Sequence, residues 1–281
     1  GGTISNCTFT GNRATYGGGI QCEDTGQVFN CTLSAYSAYY GAAVRLRNGG
    51  IITNCMINNN LAYAGGGGIQ IVGNGVAFGC TVLGNTSSNY AGGIYCWQGG
   101  TVTNCTVSNN KAVYGGGIQC EEGGTVDNST ITGNQAYYGG GLRCRKGGIS
   151  RNCRINNNTA YGGAGVQHVE NGAIRNCAMS GNMATNSGGG VYCYHGGAVE
   201  NCVISGNSAA SGGGLLAESG GTIVNTIIQF NGAATGTNYL NTGSGMTYSY
   251  CDTIPLAPGA GNITADPRFL DPGAADFHFM P

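Results

Sequence analysis

Charge is what this sequence has least of. Only 8% of its 281 residues are charged, 11 basic against 12 acidic, for a net charge of −1; an ordinary globular chain carries about a quarter. With no basic stripe to neutralise phosphates, nucleic acid is not an expected partner. No apolar run approaches the length of a membrane-spanning helix, and no secretory leader is visible. There are three histidines and one tryptophan. The histidines enter no Ser-His-Asp or Cys-His arrangement of nucleophile and base. No segment spaces its apolar residues at a helical period. Met is missing from position 1, and the chain opens at Gly1 inside a repeat, as expected of a processed or truncated product.

What is present is a period. Asn-Cys or a close stand-in recurs every 24 or 25 residues, at Asn6, Asn30, Asn54, Gly79, Asn104, Asn128, Asn152, Asn176, Asn201 and Asn225, with an eleventh copy at Tyr250-Cys251. Such self-similarity means one small unit stacked on itself. In the unit 99–122, short alternating runs are separated by Gly and Asn, the pattern of brief strands joined by tight turns. Val107 and its equivalents (Phe9, Leu33, Ile57, Val82, Ile131, Ile155, Met179, Ile204, Ile228) are all apolar, as are Ile118 and its equivalents. Both columns therefore face an interior, and a third run at Thr101-Val102 gives about three faces per coil. An αβ solenoid needs helical residues that the Gly-rich connections leave no room for, and a propeller blade needs about forty residues. The expected fold is all-β: a right-handed parallel β-helix of about 10–11 coils over 1–249, with 250–281 as a closing segment. Two Asn columns mark bends. The Asn-Cys column is expected to form an internal amide ladder, so the sequons at Asn6, Asn30, Asn104 and Asn128 are expected to be occupied internally.

Gly17-Gly-Gly-Ile20, preceded by Phe9-Thr-Gly-Asn12, resembles the paired motifs of polymorphic outer-membrane-protein repeats. More broadly the chain resembles the right-handed parallel β-helix repeats of bacterial secreted and surface proteins, pectate-lyase-like solenoids among them. The likeness spans about residues 1 to 231. It implies an extracellular or bacterial cell-surface location, within a superfamily that contains adhesins, autotransporter passengers and polysaccharide-cleaving enzymes.

Of the fourteen cysteines, eight occupy the Asn-Cys column and five the Ile-x-Cys column (Cys22, Cys96, Cys120, Cys144, Cys193). No regular pairing joins them all, and apolar residues replace them at unmatched rungs. The expectation is stacked buried thiols, each a small hydrophobe, with several disulfides as the alternative. His168 falls in the second column, where a satisfied core histidine is expected. No metal site and no cofactor are expected.

The outward columns beside the Ile-x-Cys strand carry the candidate ligand-binding residues: Tyr95, Trp97, Gln119, Glu121, Arg143, Arg145, Tyr192 and Tyr194. Rings beside planar donors suit sugar recognition; a solubilising face with cross-strand pairs such as Glu121 with Arg145 is the plainer reading. A pectate-lyase-like lyase or glycoside hydrolase would need converging carboxylates beside Arg143 and Tyr95. Glu121 and Glu122, as sequence neighbours, are expected to diverge, and no catalytic residues are assigned. In the tail, Asp266-Pro and Asp271-Pro suggest turns. The expected role is a structural or adhesive solenoid, binding a surface glycan or stacking end to end with its own copies into filaments.

Overall fold

The computed structural model describes residues 2–271 and 276–279. Among these residues every regular element is a strand. Face one holds eleven parallel strands, from Thr3–Ser5 to Met246–Ser249; face two holds eleven, from Thr8–Thr10 to Asp252–Thr253; face three holds ten, from Ile20–Glu23 to Tyr239–Asn241. Between faces two and three lies a partial fourth face. It has strands in the outer coils, such as Ser37–Tyr40 and Thr159–Gly162, and isolated bridges at Lys111, Tyr114, Gln135 and Tyr138 in the middle.

Like residues stack on like because the strands pair in register. Val82, Val107 and Ile131 follow one another on face two, and Ile94, Ile118 and Leu142 on face three. From Leu33 to Ile228 on face two and from Val44 to Leu215 on face three, the inward columns are wholly buried. Each such side chain contributes about 1.5–3 kcal/mol by leaving water. Before the last coil, coils of 25 residues put their extra residue in the fourth face, where the pairing shifts register between Ala62 and Gly65 and between Met183 and Ser187; the last coil puts it between Asn241 and Met246. The three main faces are thereby spared a slip, which would turn core residues outward.

Two bends per coil share one design: a residue with positive φ followed by an inward polar side chain. At the first bend Asn104 (φ 54°) precedes Cys105; at the second Asn109 (φ 54°) precedes Asn110. The asparagines at the first bend are exposed, which corrects the expected internal ladder. They pair along the surface instead, as from Asn30 Nδ2 to Asn6 Oδ1 (3.3 Å), so the sequon asparagines face solvent. Left-handed geometry selects Asn here and points its side chain away from the coil.

The buried ladder is the second column. Asn134 Nδ2 donates to Asn158 Oδ1 (3.0 Å) and to the Val107 carbonyl (3.0 Å). Asn134 Oδ1 accepts from the Asn110 backbone N–H (2.9 Å) and from Asn110 Nδ2 (3.0 Å). The same pattern runs from Asn60 to Asn231, and Asn238 ends it by accepting from Asn231. The glycine run on the next side lets the coils approach: a Cβ on Gly117 would stand 2.6 Å from the Gly141 carbonyl and 2.9 Å from Asn134 Nδ2.

All fourteen cysteines are free, and thirteen are buried. Those at the first bend are more than small hydrophobes. The Cys55 thiol donates to the Thr53 carbonyl (3.2 Å) and accepts from the Cys31 N–H (3.3 Å). Ser129 and Thr226 stand in the same column with the same bonds.

The tail folds back on the last coil. Asn262 Oδ1 accepts from the Cys251 N–H (2.9 Å), taking the place that the next coil's inward residue would fill. Asp266 Oδ1 accepts from the Arg268 N–H (2.9 Å) in an Asp-Pro turn, and Phe269 packs against Phe230. Phe269–Asp271 pairs antiparallel with Asp276–Phe279. The Asp271-Pro turn and the remainder of the closing segment lie outside the described residues.

Candidate functional site

A column of tyrosines lies where the fourth face meets the glycine bend. Tyr16, Tyr40, Gly65, Tyr90, Tyr114, Tyr138 and Gly162 occupy successive coils at one position. Register pairing sets the rings nearly parallel: Tyr16 and Tyr40 are 5.9 Å apart at 4°, Tyr90 and Tyr114 5.7 Å at 27°, Tyr114 and Tyr138 6.2 Å at 10°. The sequence signal for this column is a Tyr directly before the glycine run, as at Tyr114-Gly115 and Tyr138-Gly139, and it passed unread among the candidate residues.

The ladder leans over the outward column of face three, and that corrects the expected open surface. Gln70, Tyr95, Gln119, Gln167 and Tyr192 point away from the coil, yet all are buried, Gln119 wholly so. Arg45 lies 4.5 Å over the Tyr16 ring and Arg143 4.7 Å over the Tyr114 ring, within cation–π range. Arg45 Nε donates to Gln70 Oε1 (2.9 Å) and Arg143 Nε to Gln167 Oε1 (2.8 Å). Burial pushes the pKa of both guanidiniums below its usual value, and burial also raises the Tyr95 hydroxyl.

Inside the run of rings the ladder omits one tyrosine, at Gly65; from Gly162 on, the position holds Gly162, Ser187, Ser211 and Thr235, and the ladder ends. At Gly65, an added Cβ would come within 2.8 Å of Tyr95 Cδ1, because the Tyr95 ring tilts into the vacancy and stacks on Tyr90 (5.7 Å, 20°). At Gly162, the Tyr192 and Tyr138 rings close in, and Tyr192 is tied by its hydroxyl to the Glu218 carboxylate. The omission at Gly65 leaves a recess of about 400 Å³ lined by Tyr16, Tyr40, Arg45, Gln70, Tyr90, Tyr95, Trp97, Glu121 and Glu122.

Of the candidate residues, Tyr95, Trp97 and Glu121 line this recess. Gln119 and Arg145 stand behind it and hold Glu121, through Gln119 Nε2 to Oε2 (3.1 Å) and Arg145 Nη1 to Oε1 (2.7 Å). Gln119 Oε1 is left without a hydrogen-bond partner. Arg143 sits apart, over Tyr114, while Tyr192 and Tyr194 meet edge to face at 6.1 Å near Gly162, where the ladder ends. Tyr16, Tyr40, Arg45, Gln70, Tyr90 and Glu122 are the lining residues absent from the candidate set.

Glu122, expected to diverge from Glu121, lines the same recess. Its φ of 60° ends the strand alternation that would have put the two side chains on opposite sides. Each carboxylate is claimed by a cation one coil on, Glu121 by Arg145 and Glu122 by Lys146 (3.3 Å). Among the described residues no group of three or more His, Cys, Asp or Glu side chains is arranged around a metal position.

The family model of the right handed beta helix region matches residues 1–159 and 92–254, which together cover nearly the whole chain. The chain belongs to the right-handed β-helix family. No curated protein and no solved structure matches it.

Proposed function

We propose that this solenoid is an adhesive element of a cell surface or extracellular matrix that binds carbohydrate in the recess beside Gly65. The observation that carries the reading is the omitted tyrosine. Tyr40 and Tyr90 stand two coils apart, about 9.6 Å by strand spacing, and between them lies a hollow with an aromatic floor, Tyr95, and a half-exposed indole, Trp97, at its rim. A flat, hydroxyl-rich ring fits such a place, stacking its C–H face on an aromatic ring while Gln70 and Glu121 take its hydroxyls. The ladder beyond it, with Arg143 on Tyr114, supports an extended polysaccharide running along the coil axis rather than a single sugar.

The test is binding of neutral and acidic oligosaccharides by calorimetry, with products analysed after long incubation. Trp97→Ala and Tyr40→Ala are each expected to weaken binding by about tenfold or more, since a stacked ring contributes about 0.5–1.5 kcal/mol beyond its buried area. Exposed Tyr63→Ala is expected to leave binding unchanged. Equal affinity of all three variants would sink the reading. Release of new reducing or unsaturated ends, abolished by Glu121→Gln, would transfer the recess to the hydrolase or lyase reading.

A further inference from the structure

The inward column of face three runs through five consecutive coils as Cys96, Cys120, Cys144, His168 and Cys193. All five are at most 1% exposed, and the thiols are free. Cys120 lies between Cys96 and Cys144, paired in register with one on each adjacent strand. His168 breaks the run of sulfurs but keeps their place. Cys144 Sγ would lie 3.0 Å from a Cβ added at Gly148, and His168 Nδ1 lies 2.8 Å from a Cβ added at Gly172, one coil on. The other ring nitrogen, Nε2, is buried with no hydrogen-bond partner. A neutral imidazole carries a lone pair on one of its two nitrogens. A buried lone pair beside stacked thiols serves no packing purpose that the Leu46 and Ile71 of the same column do not serve better.

We infer that this column binds a soft monovalent d10 cation, Cu(I) or Ag(I), in two-coordinate geometry between the imidazole of His168 and the thiolate of Cys144. Register supports it: Cys144 and His168 are direct partners on adjacent strands, whose backbones lie about 4.8 Å apart, so both side chains enter the core side by side. Charge supports it too. The ion replaces the Cys144 thiol proton, which leaves to solvent, so the S–M–N unit carries no net charge into the dry core. Soft donors select Cu(I) over hard cations. A four-coordinate ion finds no set of ligands here.

The reduced, metal-free chain would be titrated anaerobically with Ag(I) and with Cu(I) against a competing chelator. Retained metal would be counted after desalting, and ultraviolet charge-transfer absorbance followed. One chelator-resistant ion per chain and a raised melting temperature are expected. His168→Leu and Cys144→Ile should each cut affinity by about tenfold or more. Circular dichroism should stay unchanged in both, because Leu46 and Ile71 already fill this column. Cys105→Ser, in the other column, should retain the ion. Failure of the wild type to keep metal through desalting, or equal retention by His168→Leu and Cys144→Ile, would overturn the assignment.

Discussion

The two bends of each coil are the same piece of backbone closed by two different side chains. At both, an exposed left-handed residue turns the chain, and the next side chain enters the coil. There it donates to the carbonyl two residues back and accepts the N–H of the preceding coil. Asn does this at the second bend, as Asn85 Nδ2 does to the Leu83 carbonyl (3.2 Å) while its Oδ1 accepts from the Asn60 N–H (3.0 Å). Cys does it at the first, with Cys105 Sγ to the Thr103 carbonyl (3.3 Å). The amide has a further donor, so it also reaches the side chain of the next rung, as Asn85 Nδ2 does at Asn110 Oδ1 (3.0 Å). A thiol is thus a short, weak asparagine at one bend, while the five thiols on face three have no bend to serve. Position, more than residue type, decides what a cysteine does here.

The comparison can be broken most severely at the second bend. Asn134→Ala would leave the Asn110 N–H without its acceptor, take one acceptor from Asn110 Nδ2 and one donor from the Val107 carbonyl, and open a void in the buried ladder, while Asn158 Oδ1 keeps the residue-134 N–H; unpaired buried groups cost about 1–3 kcal/mol each, and a loss of roughly 4 kcal/mol is expected from urea unfolding. Next comes His168, which lies on face three where no bend supplies partners. Its pKa falls from 6.5 in the unfolded chain to about 4 in the fold. The unfolded state therefore binds the proton first, and stability is full above about pH 6.5 and falls as pH drops toward 4, by about 3 kcal/mol. His168→Leu should flatten that limb of the stability–pH curve in metal-free protein; an unchanged slope would show that another group titrates.

Smaller effects separate the two cysteine columns. Cys120→Ser puts a hydroxyl among sulfurs in a fully buried place, at a cost of about 2 kcal/mol. Cys105→Ser should change stability by less than about 0.5 kcal/mol, because Ser129 already occupies that column with its bonds made. Similar costs for the two serine variants would mean that the thiols of both columns are plain filler. Between the two serine variants falls Asn104→Val, at the exposed residue of the first bend. It keeps the inward residue but forces a β-branched side chain to φ 54°, worth about 1–2 kcal/mol, with Asn104→Gly near neutral.

The fold was legible because its signals are periodic: one slip in register would expose Val107 and Ile118 together, so the columns had to be apolar throughout. Cys105 and Asn110 were legible as places but not as roles. Both stand next to an Asn or Gly, and sequence spacing alone does not tell which of two adjacent residues takes the left-handed conformation and points outward. Hence the ladder was expected at Asn104 when it is built by Asn110. The candidate site was half legible. Tyr95, Trp97 and Glu121 could be placed on one face from alternation. The burial of Gln119 could not, because the covering rings arrive from Tyr114 and its equivalents on a different face, where stacking shows only when whole coils are laid over one another.

The glycine at position 65 carries a lesson about how a monotonous molecule acquires a landmark. From Tyr16 to Tyr138 the coils offer the same groove wall, so nothing added to all of them could mark one spot; the one blank among them, at Gly65, does. An internal duplication of residues 51–75 would copy the blank and lengthen the wall at once. The number of such blanks, and the distance between them, would then be set by recombination between repeats, without any new side chain having to arise by point mutation.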